Sequence, residues 1–131
     1  MTFKIASFFA GAGGLDLGFE QAGFDIVYSN EFDTKITPTL NKNFTNSQID
    51  DRDINKVSKE DIPNIDGIIG GPPCQGFSTV GTRKLDDPRN LLYKAFKSVV
   101  IALEPRFFLI ENVANILKMG GGVFNREIVA D

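Results

Sequence analysis

The sequence predicts an α/β protein with a mostly parallel sheet and helices on both faces. Three observations predict it. Short apolar, β-prone runs alternate with stretches of helical periodicity. The glycines fall in patches that follow several of the runs. The residues best suited to chemistry stand just after the runs, and an open parallel sheet binds its ligands beyond the carboxyl ends of its strands.

Taken in order, Lys4-Ile5-Ala6-Ser7-Phe8-Phe9 is short, apolar and β-prone, and it ends at a glycine turn, as a buried strand would. Leu15, Phe19 and Ala22 recur at helical spacing, so residues 15–22 read as a helix with Gly23 just past its end. Phe24 to Tyr28 is a second strand. Thr34 to Asn43 is a helix interrupted near its start by Pro38. The polar stretch holding Asp53-Ile54 has room for a short third strand. Asp66-Gly67-Ile68-Ile69-Gly70 is a further strand running into Gly71-Pro72-Pro73, and Gln75 to Arg89 has the pattern of a long exposed loop. Leu91, Leu92, Ala95, Phe96, Val99, Val100 and Leu103 repeat at helical spacing, and Pro105 closes that helix. Arg106 to Ile110 is the last strand, with Phe107 to Ile110 expected to be buried.

Composition narrows the function. The chain has 131 residues, 42% apolar and 24% charged, in the range of one ordinary globular domain. No apolar run approaches the roughly 20 residues of a membrane helix, and no secretory leader is visible at the N-terminus. With one cysteine and no leader, a cytoplasmic location without disulfides is expected. There is no histidine, which removes Ser-His and Cys-His catalytic pairs and any His-ligated metal; no metal is expected. A net charge of −3 gives this chain no broad electrostatic grip on nucleic acid.

Three clusters carry the chemistry. After the first strand, Phe9-Ala10-Gly11-Ala12-Gly13-Gly14 forms a glycine turn in which Asp16 takes the place of the third glycine of a dinucleotide motif. An acid in the first helical turn would repel a pyrophosphate and suit a cationic or zwitterionic ligand. Glu31 stands 20 residues past Gly11, the interval at which an acid meets ribose hydroxyls in such folds. The plainer alternative is a structural turn with a surface glutamate. After the fourth strand, Cys74 follows two prolines and precedes Gln75-Gly76-Phe77-Ser78. Free cysteine is most often a small buried hydrophobe, but this context presents the thiol at a mouth, with Arg83, Lys84 and Arg89 nearby in sequence as cations that could lower its pKa. After the fifth strand, Glu111 leaves an apolar run at the sheet's rim. It can act as a proton donor with raised pKa, or it can accept amide hydrogen bonds near Asn112.

These residues in this order resemble the DNA cytosine-5 methyltransferase family, and most closely its bacterial restriction-modification type. The resemblance rests on Phe9-Ala10-Gly11-Ala12-Gly13-Gly14-Leu15, Asn30-Glu31-Phe32-Asp33, Asp53-Ile54, Gly71-Pro72-Pro73-Cys74-Gln75-Gly76-Phe77-Ser78 and Glu111-Asn112-Val113. It implies a Rossmann-like methyltransferase fold with S-adenosylmethionine as methyl donor. Phe9 to Leu15 (Phe9, Ala10, Gly11, Gly13, Gly14 and Leu15) would cradle the donor's amino-acid part. Glu31 would hold its ribose and Phe32 would pack on the adenine face. Asp53 with Ile54 would flank the adenine edge, and Pro73 and Leu92 would complete the pocket wall. The resemblance further implies that the Cys74 thiolate adds to carbon 6 of a cytosine flipped out of double-stranded DNA. Glu111 would contact the base, and the loop from Gln75 would close over it.

The family's later elements have no counterpart here. The full family sheet has further strands, an arginine-bearing segment and a separate domain that reads DNA sequence. Residues 1–131 are therefore expected to be the N-terminal part of the catalytic domain of a longer bacterial enzyme, inactive alone, with a C-terminal fragment as a possible partner. A non-catalytic donor-binding fragment and the related transfer RNA cytosine-5 methyltransferases are the alternatives.

Overall fold

The computed structural model describes residues 1–73, 91–117, 122, 126, 129 and 130. Five strands form one sheet: β1 (Lys4–Phe8), β2 (Asp25–Asn30), β3 (Gln48–Asp50), β4 (Gly67–Gly70) and β5 (Phe107–Ile110). Their order is β3-β2-β1-β4-β5 and every pairing is parallel. Helices α1 (Gly14–Gln21) and α2 (Thr37–Asn43) follow β1 and β2, and α3 (Leu91–Leu103) precedes β5.

The predicted class is therefore the observed one, and each face of the sheet carries its own apolar layer. On one face Ile5, Ile26 and Ile69 pack against Leu15 and Phe19 of α1 and against Phe24 and Phe107. On the other, Ala6, Phe8, Tyr28 and Ile68 pack with Phe96 of α3 and with Ile54 and Ile62 from 3-10 turns at Ile54–Lys56 and Lys59–Asp61. A register shift in the β1–β2 pairing, where Ile5 faces Ile26 but Ala6 faces Tyr28, inserts Val27 as an extra residue. A bulge of this kind re-aims the side chains beyond it. Ile26 thus points to the α1 layer while Tyr28, two residues on, points to the α3 layer.

Helix α1 ends in a motif that its sequence anticipates. Gly23 is left-handed at φ 90°, its N–H donates to the Glu20 carbonyl, and the Phe24 N–H donates to the Phe19 carbonyl. That pair of bonds closes the helix, and the Phe19 and Phe24 rings meet across it at 5.1 Å.

Four expectations need correction. The third strand lies at Gln48–Asp50, not at Asp53-Ile54; Asp53 instead caps the 3-10 turn by accepting the Asn55 N–H at 2.9 Å. Helix α2 begins at Thr37, not Thr34, because Pro38 falls in its first turn, where a missing N–H is tolerated. Strand β1 stops at Phe8, because Phe9 turns left-handed at φ 53°. The β5 run is not fully buried. Phe107 and Ile110 pack inward, but Phe108 is 56% exposed and Leu109 39%. Strand β5 stands at the edge of the sheet, and apolarity alone does not report whether both faces of an edge strand are covered.

Gly13 is where the glycine turn meets the core. It is left-handed at φ 86°, and a side-chain carbon there would collide with the ring of Phe44 and crowd Leu40. Gly13→Ala therefore combines left-handed strain with overpacking and should cost about 2–4 kcal/mol of folding stability. Urea unfolding of parent and variant measures it; a difference below about 0.5 kcal/mol would contradict this account of the turn.

Candidate functional site

The carboxyl ends of all five strands lie on one register line. Phe8 pairs with Asn30 on one side and with Gly70 on the other; Asn30 pairs with Asp50, and Gly70 with Ile110. The next residue of each strand therefore emerges at the same rim, in the spatial order Asp51, Glu31, Phe9, Gly71, Glu111. Neighbouring strands are about 4.8 Å apart, so the main chains at Glu31 and Glu111, three spacings apart, are separated by roughly 14 Å. That rim is long enough for two ligands side by side, one over β1–β2 and one over β4–β5.

The β1–β2 half is built around Glu31. Its carboxylate accepts the Gly11 N–H at 2.8 Å and the Asp33 N–H at 2.8 Å, so the acid found by spacing fastens the glycine turn to the end of β2. The Ala10 N–H donates to the Asn30 carbonyl at 3.1 Å, and the Gly13 N–H to the Ala10 carbonyl at 2.9 Å. Gly11 and Gly14 face open space: a carbon added at either would meet nothing within 4 Å. Phe32 is 69% exposed beside Glu31. Leu15 turns away from the rim and packs with the α1 layer, so it can serve the turn only through its main chain.

Asp16 does not face a ligand. It is fully buried; its carboxylate accepts the Ser7 hydroxyl at 2.6 Å and the Ser29 hydroxyl at 2.9 Å. Burial raises its pKa above the usual carboxylate value, and the two serine bonds act against that rise. The expectation of an acid that attracts a cationic ligand is thus replaced by a tie that holds the first turn of α1 to β1 and β2.

Asp53 and Ile54 approach the rim from β3. The Asn30 side-chain amide donates to the carbonyls of Asp50 at 3.0 Å and Arg52 at 2.9 Å. The Asp50 carboxylate accepts the Tyr28 hydroxyl at 2.7 Å and a forked contact from the Arg52 guanidinium. Arg52 holds the Asp50 carboxyl down at about 2, helped by Tyr28 and opposed by burial. Burial, and then Asp50, push the Tyr28 hydroxyl well above its ordinary value. The side chain of Ile54 is only 5% exposed and belongs to the core, so any role at the rim falls to its main chain. None of these ties was predicted from sequence. The one signal was polar Asn30 placed directly after the β-prone run of the second strand.

The β4–β5 half joins Glu111 to the double proline. The Glu111 N–H donates to the Gly70 carbonyl at 2.9 Å, and the Asn112 amide donates to the Pro72 carbonyl at 2.8 Å. The Glu111 carboxylate lies against Gly71, 3.1 Å from where a side-chain carbon would stand. Pro73 and Leu92 are half-buried. Cys74 and the loop from Gln75 to Arg89 lie outside the described residues. A cavity of about 330 Å³ between α3 and the 3-10 turns shares only Ile54 with the predicted site and lies on the α3 face, apart from the rim clusters. Among the described residues no helix is long and apolar enough to cross a membrane.

A glycine turn fastened to Glu31, with Glu111 and the double proline on the same rim, brings together several of the residues on which the resemblance rests. Comparison with known proteins decides the family: the one described as C-5 cytosine-specific DNA methylase matches residues 3–130. The chain belongs to that family. It is 46% identical over 115 residues to the type II methyltransferase M.FnuDI of Fusobacterium nucleatum, covering 87% of this chain and 33% of that protein. It is 47% identical over 116 residues to M.NgoPII of Neisseria gonorrhoeae, covering 87% and 34%. A solved structure, described as a DNA modification methyltransferase encoded within a prophage (E. coli), superposes with a TM-score of 0.82 at 37% identity, covering 98% of this chain and 37% of that one. Dnmt2 of S. pombe shares the fold, with a TM-score of 0.74 at 19% identity. The fold is thus the Rossmann-like fold of S-adenosylmethionine-dependent methyltransferases, and the chain spans about a third of the length of the relatives it matches.

The Asp50 tie makes a pH prediction. A carboxyl held at about 2 when folded, against about 3.9 unfolded, stabilises the fold above the unfolded value. That contribution, roughly 2 kcal/mol for a group this buried, is lost as pH falls from about 4 toward 2. Asp50→Asn should therefore flatten the pH dependence of unfolding free energy across that window. Parallel curves for parent and variant, from denaturant titrations between pH 2 and 6, would show that Asp50 is not held in this way.

Proposed function

We propose that this chain supplies the donor-binding rim and the attacking thiol of an enzyme that methylates carbon 5 of cytosine in DNA. The observation that carries the reading is the shared rim. Glu31, bound to the Gly11 N–H, stands over β2, and Glu111, against the segment that leads into Cys74, stands over β5. Family membership and the similarity to type II methyltransferases support the substrate class.

The β1–β2 half fits S-adenosylmethionine. The bare backbone at Gly11 and Gly14 admits close approach. Glu31 has one acceptor position of each oxygen engaged, and a carboxylate offers about four, so two remain for a pair of ribose hydroxyls. The exposed Phe32 ring offers a face for adenine, and Asp53 with the Ile54 main chain offers polar groups for its edge. Phe9 and Ala10 carry the turn, and Pro73 and Leu92 close the side toward β4. The bound donor supplies an electrophilic methyl group.

Carbon 5 of cytosine is a weak nucleophile. Addition of the Cys74 thiolate forms a sulfur–carbon bond at carbon 6 and moves an electron pair toward carbon 5, which can then take a methyl group. Loss of the carbon 5 proton and expulsion of the thiolate restore the ring. Glu111, beside Gly71, would bond to ring nitrogen 3 and the exocyclic amine and offset charge as the thiolate adds. A base inside a duplex is out of reach, so it must be flipped out at a cost of a few kcal/mol. The energy for that and the reading of DNA sequence fall to the part of the enzyme that corresponds to the remaining two-thirds of the relatives. Residues 1–131 alone transfer no methyl group in this reading.

Two substitutions in the complete enzyme test the assignment. Cys74→Ser should abolish methyl transfer and covalent capture by a 5-fluorocytosine oligonucleotide while donor affinity stays near that of the parent. Turnover by the serine variant would remove Cys74 as nucleophile. Glu31→Ala should weaken S-adenosylmethionine binding by about 1.5–3 kcal/mol. Calorimetry reads the change, and unchanged affinity with the fold retained would reject the ribose role.

A further inference from the structure

Asn30 touches every segment of the β1–β2 rim. It is the last residue of β2 and only 2% exposed. Its carbonyl accepts the Ala10 N–H and so holds the glycine turn. It precedes Glu31, whose own N–H donates to the Asp50 carbonyl at 3.0 Å. Its side-chain nitrogen donates to the carbonyls of Asp50 and Arg52, just before Asp53. The amide orientation is fixed by this environment, since only the NH₂ group can face two carbonyl oxygens.

We propose that Asn30 is a positioning residue that sets the spacing between Glu31 and Asp53. The inference rests on the reading that those two acids hold opposite ends of the donor's nucleoside. Strand β3 contributes only three residues to the sheet, so the ladder alone gives the segment beyond it little support. The Asn30 amide extends the β2–β3 pairing by one step in side-chain form, past the end of the strand. It bonds two main-chain carbonyls, so it fixes the path of residues 50–52 whatever their side chains are.

Asn30→Asp keeps the shape and changes the chemistry. When ionised, the new carboxylate faces two carbonyl oxygens and has no proton to donate; when protonated, it can donate one bond. The charged groups around that position are Asp50 and Arg52 on the segment it contacts, Glu31 next in sequence, and Tyr28 on β2 with its hydroxyl on Asp50. The variant's geometry should therefore depend on pH where the parent's does not.

Two readouts test this. The amide protons of Gly11, bonded to Glu31, and Asn55, bonded to Asp53, report each end of the spacing by NMR without any ligand. In Asn30→Asp both should be displaced from the parent at pH 8 and return toward it on acidification with one shared midpoint, the parent at each pH serving as reference. In the complete enzyme, S-adenosylmethionine affinity measured by calorimetry should fall about tenfold in the variant at pH 8 and recover in part near pH 5. Undisplaced amides, or amides that move independently, would overturn the proposal, as would a pH-independent loss that marks mere damage to packing. If the parent binds no donor, the donor reading fails and the amide readout alone decides this one. If the variant unfolds, Asn30→Ser, which retains one donor, must displace both amides by less than Asn30→Ala does, or the proposal falls.

Discussion

The rim depends on the double pairing of β1. As the central strand it is bonded to β2 and β4 in parallel, and Phe8 stands level with Asn30, Gly70 and, through them, Asp50 and Ile110. Because the strands end level, five chain segments leave the sheet side by side, and short main-chain bonds can join them. The Glu31 carboxylate reaches Gly11 and the Glu111 N–H reaches Gly70 for that reason. A sheet with ragged ends would leave the same residues too far apart to act on a common ligand.

Polar groups inside the fold serve this geometry. Asp16 sits between Ser7 and Ser29 and stops α1 from sliding along β1 and β2, although its burial disfavours the charged form. Tyr28, Asp50 and Arg52 form a second knot on the opposite face. The exposed contact of Arg52 with Asp61 at 3.1 Å adds little by comparison, since solvent screens it. The bulge at Val27 makes both arrangements possible, because it puts Tyr28 on the layer opposite Ile26 and so turns Ser29 toward Asp16.

The order of the elements was legible in the sequence, and so was the placement of Gly11 and Glu31 at the ends of neighbouring strands, because periodicity and the length of a strand-helix-strand unit fix both; the bond between them was not. What was hidden depends on tertiary contact. Asp16 at a helix start reads as an acid that faces a cationic ligand, and only the serines brought beneath it by β1 and β2 reveal a buried one. The third strand was displaced because Gln48-Ile49-Asp50 has one apolar residue, and its pairing with Tyr28, Ser29 and Asn30 decides it. Phe108 read as core because a four-residue apolar run does not show which strand stands at the edge. The Asn30 contacts are to main-chain carbonyls, which leave no trace in the partner's residue types.

The predominance of main-chain partners at the rim has a consequence for how such a chain can change over time. Bonds to Asn30, Asp50, Arg52 and Gly70 carbonyls do not ask which side chains those residues carry, but they do ask how many residues lie between them. Substitutions at Ala12, Asp51 or Arg52 alter local chemistry and keep the path. A single-residue insertion within 8–14, 29–33 or 50–54 would move an N–H away from its acceptor. The exposed Pro63-Asn64 connection follows the 3-10 turn at Lys59–Asp61 and the buried Ile62, lies outside the rim, and can lengthen at less cost. Divergent relatives should therefore differ by gaps in that connection and by letters, not gaps, in the three short segments.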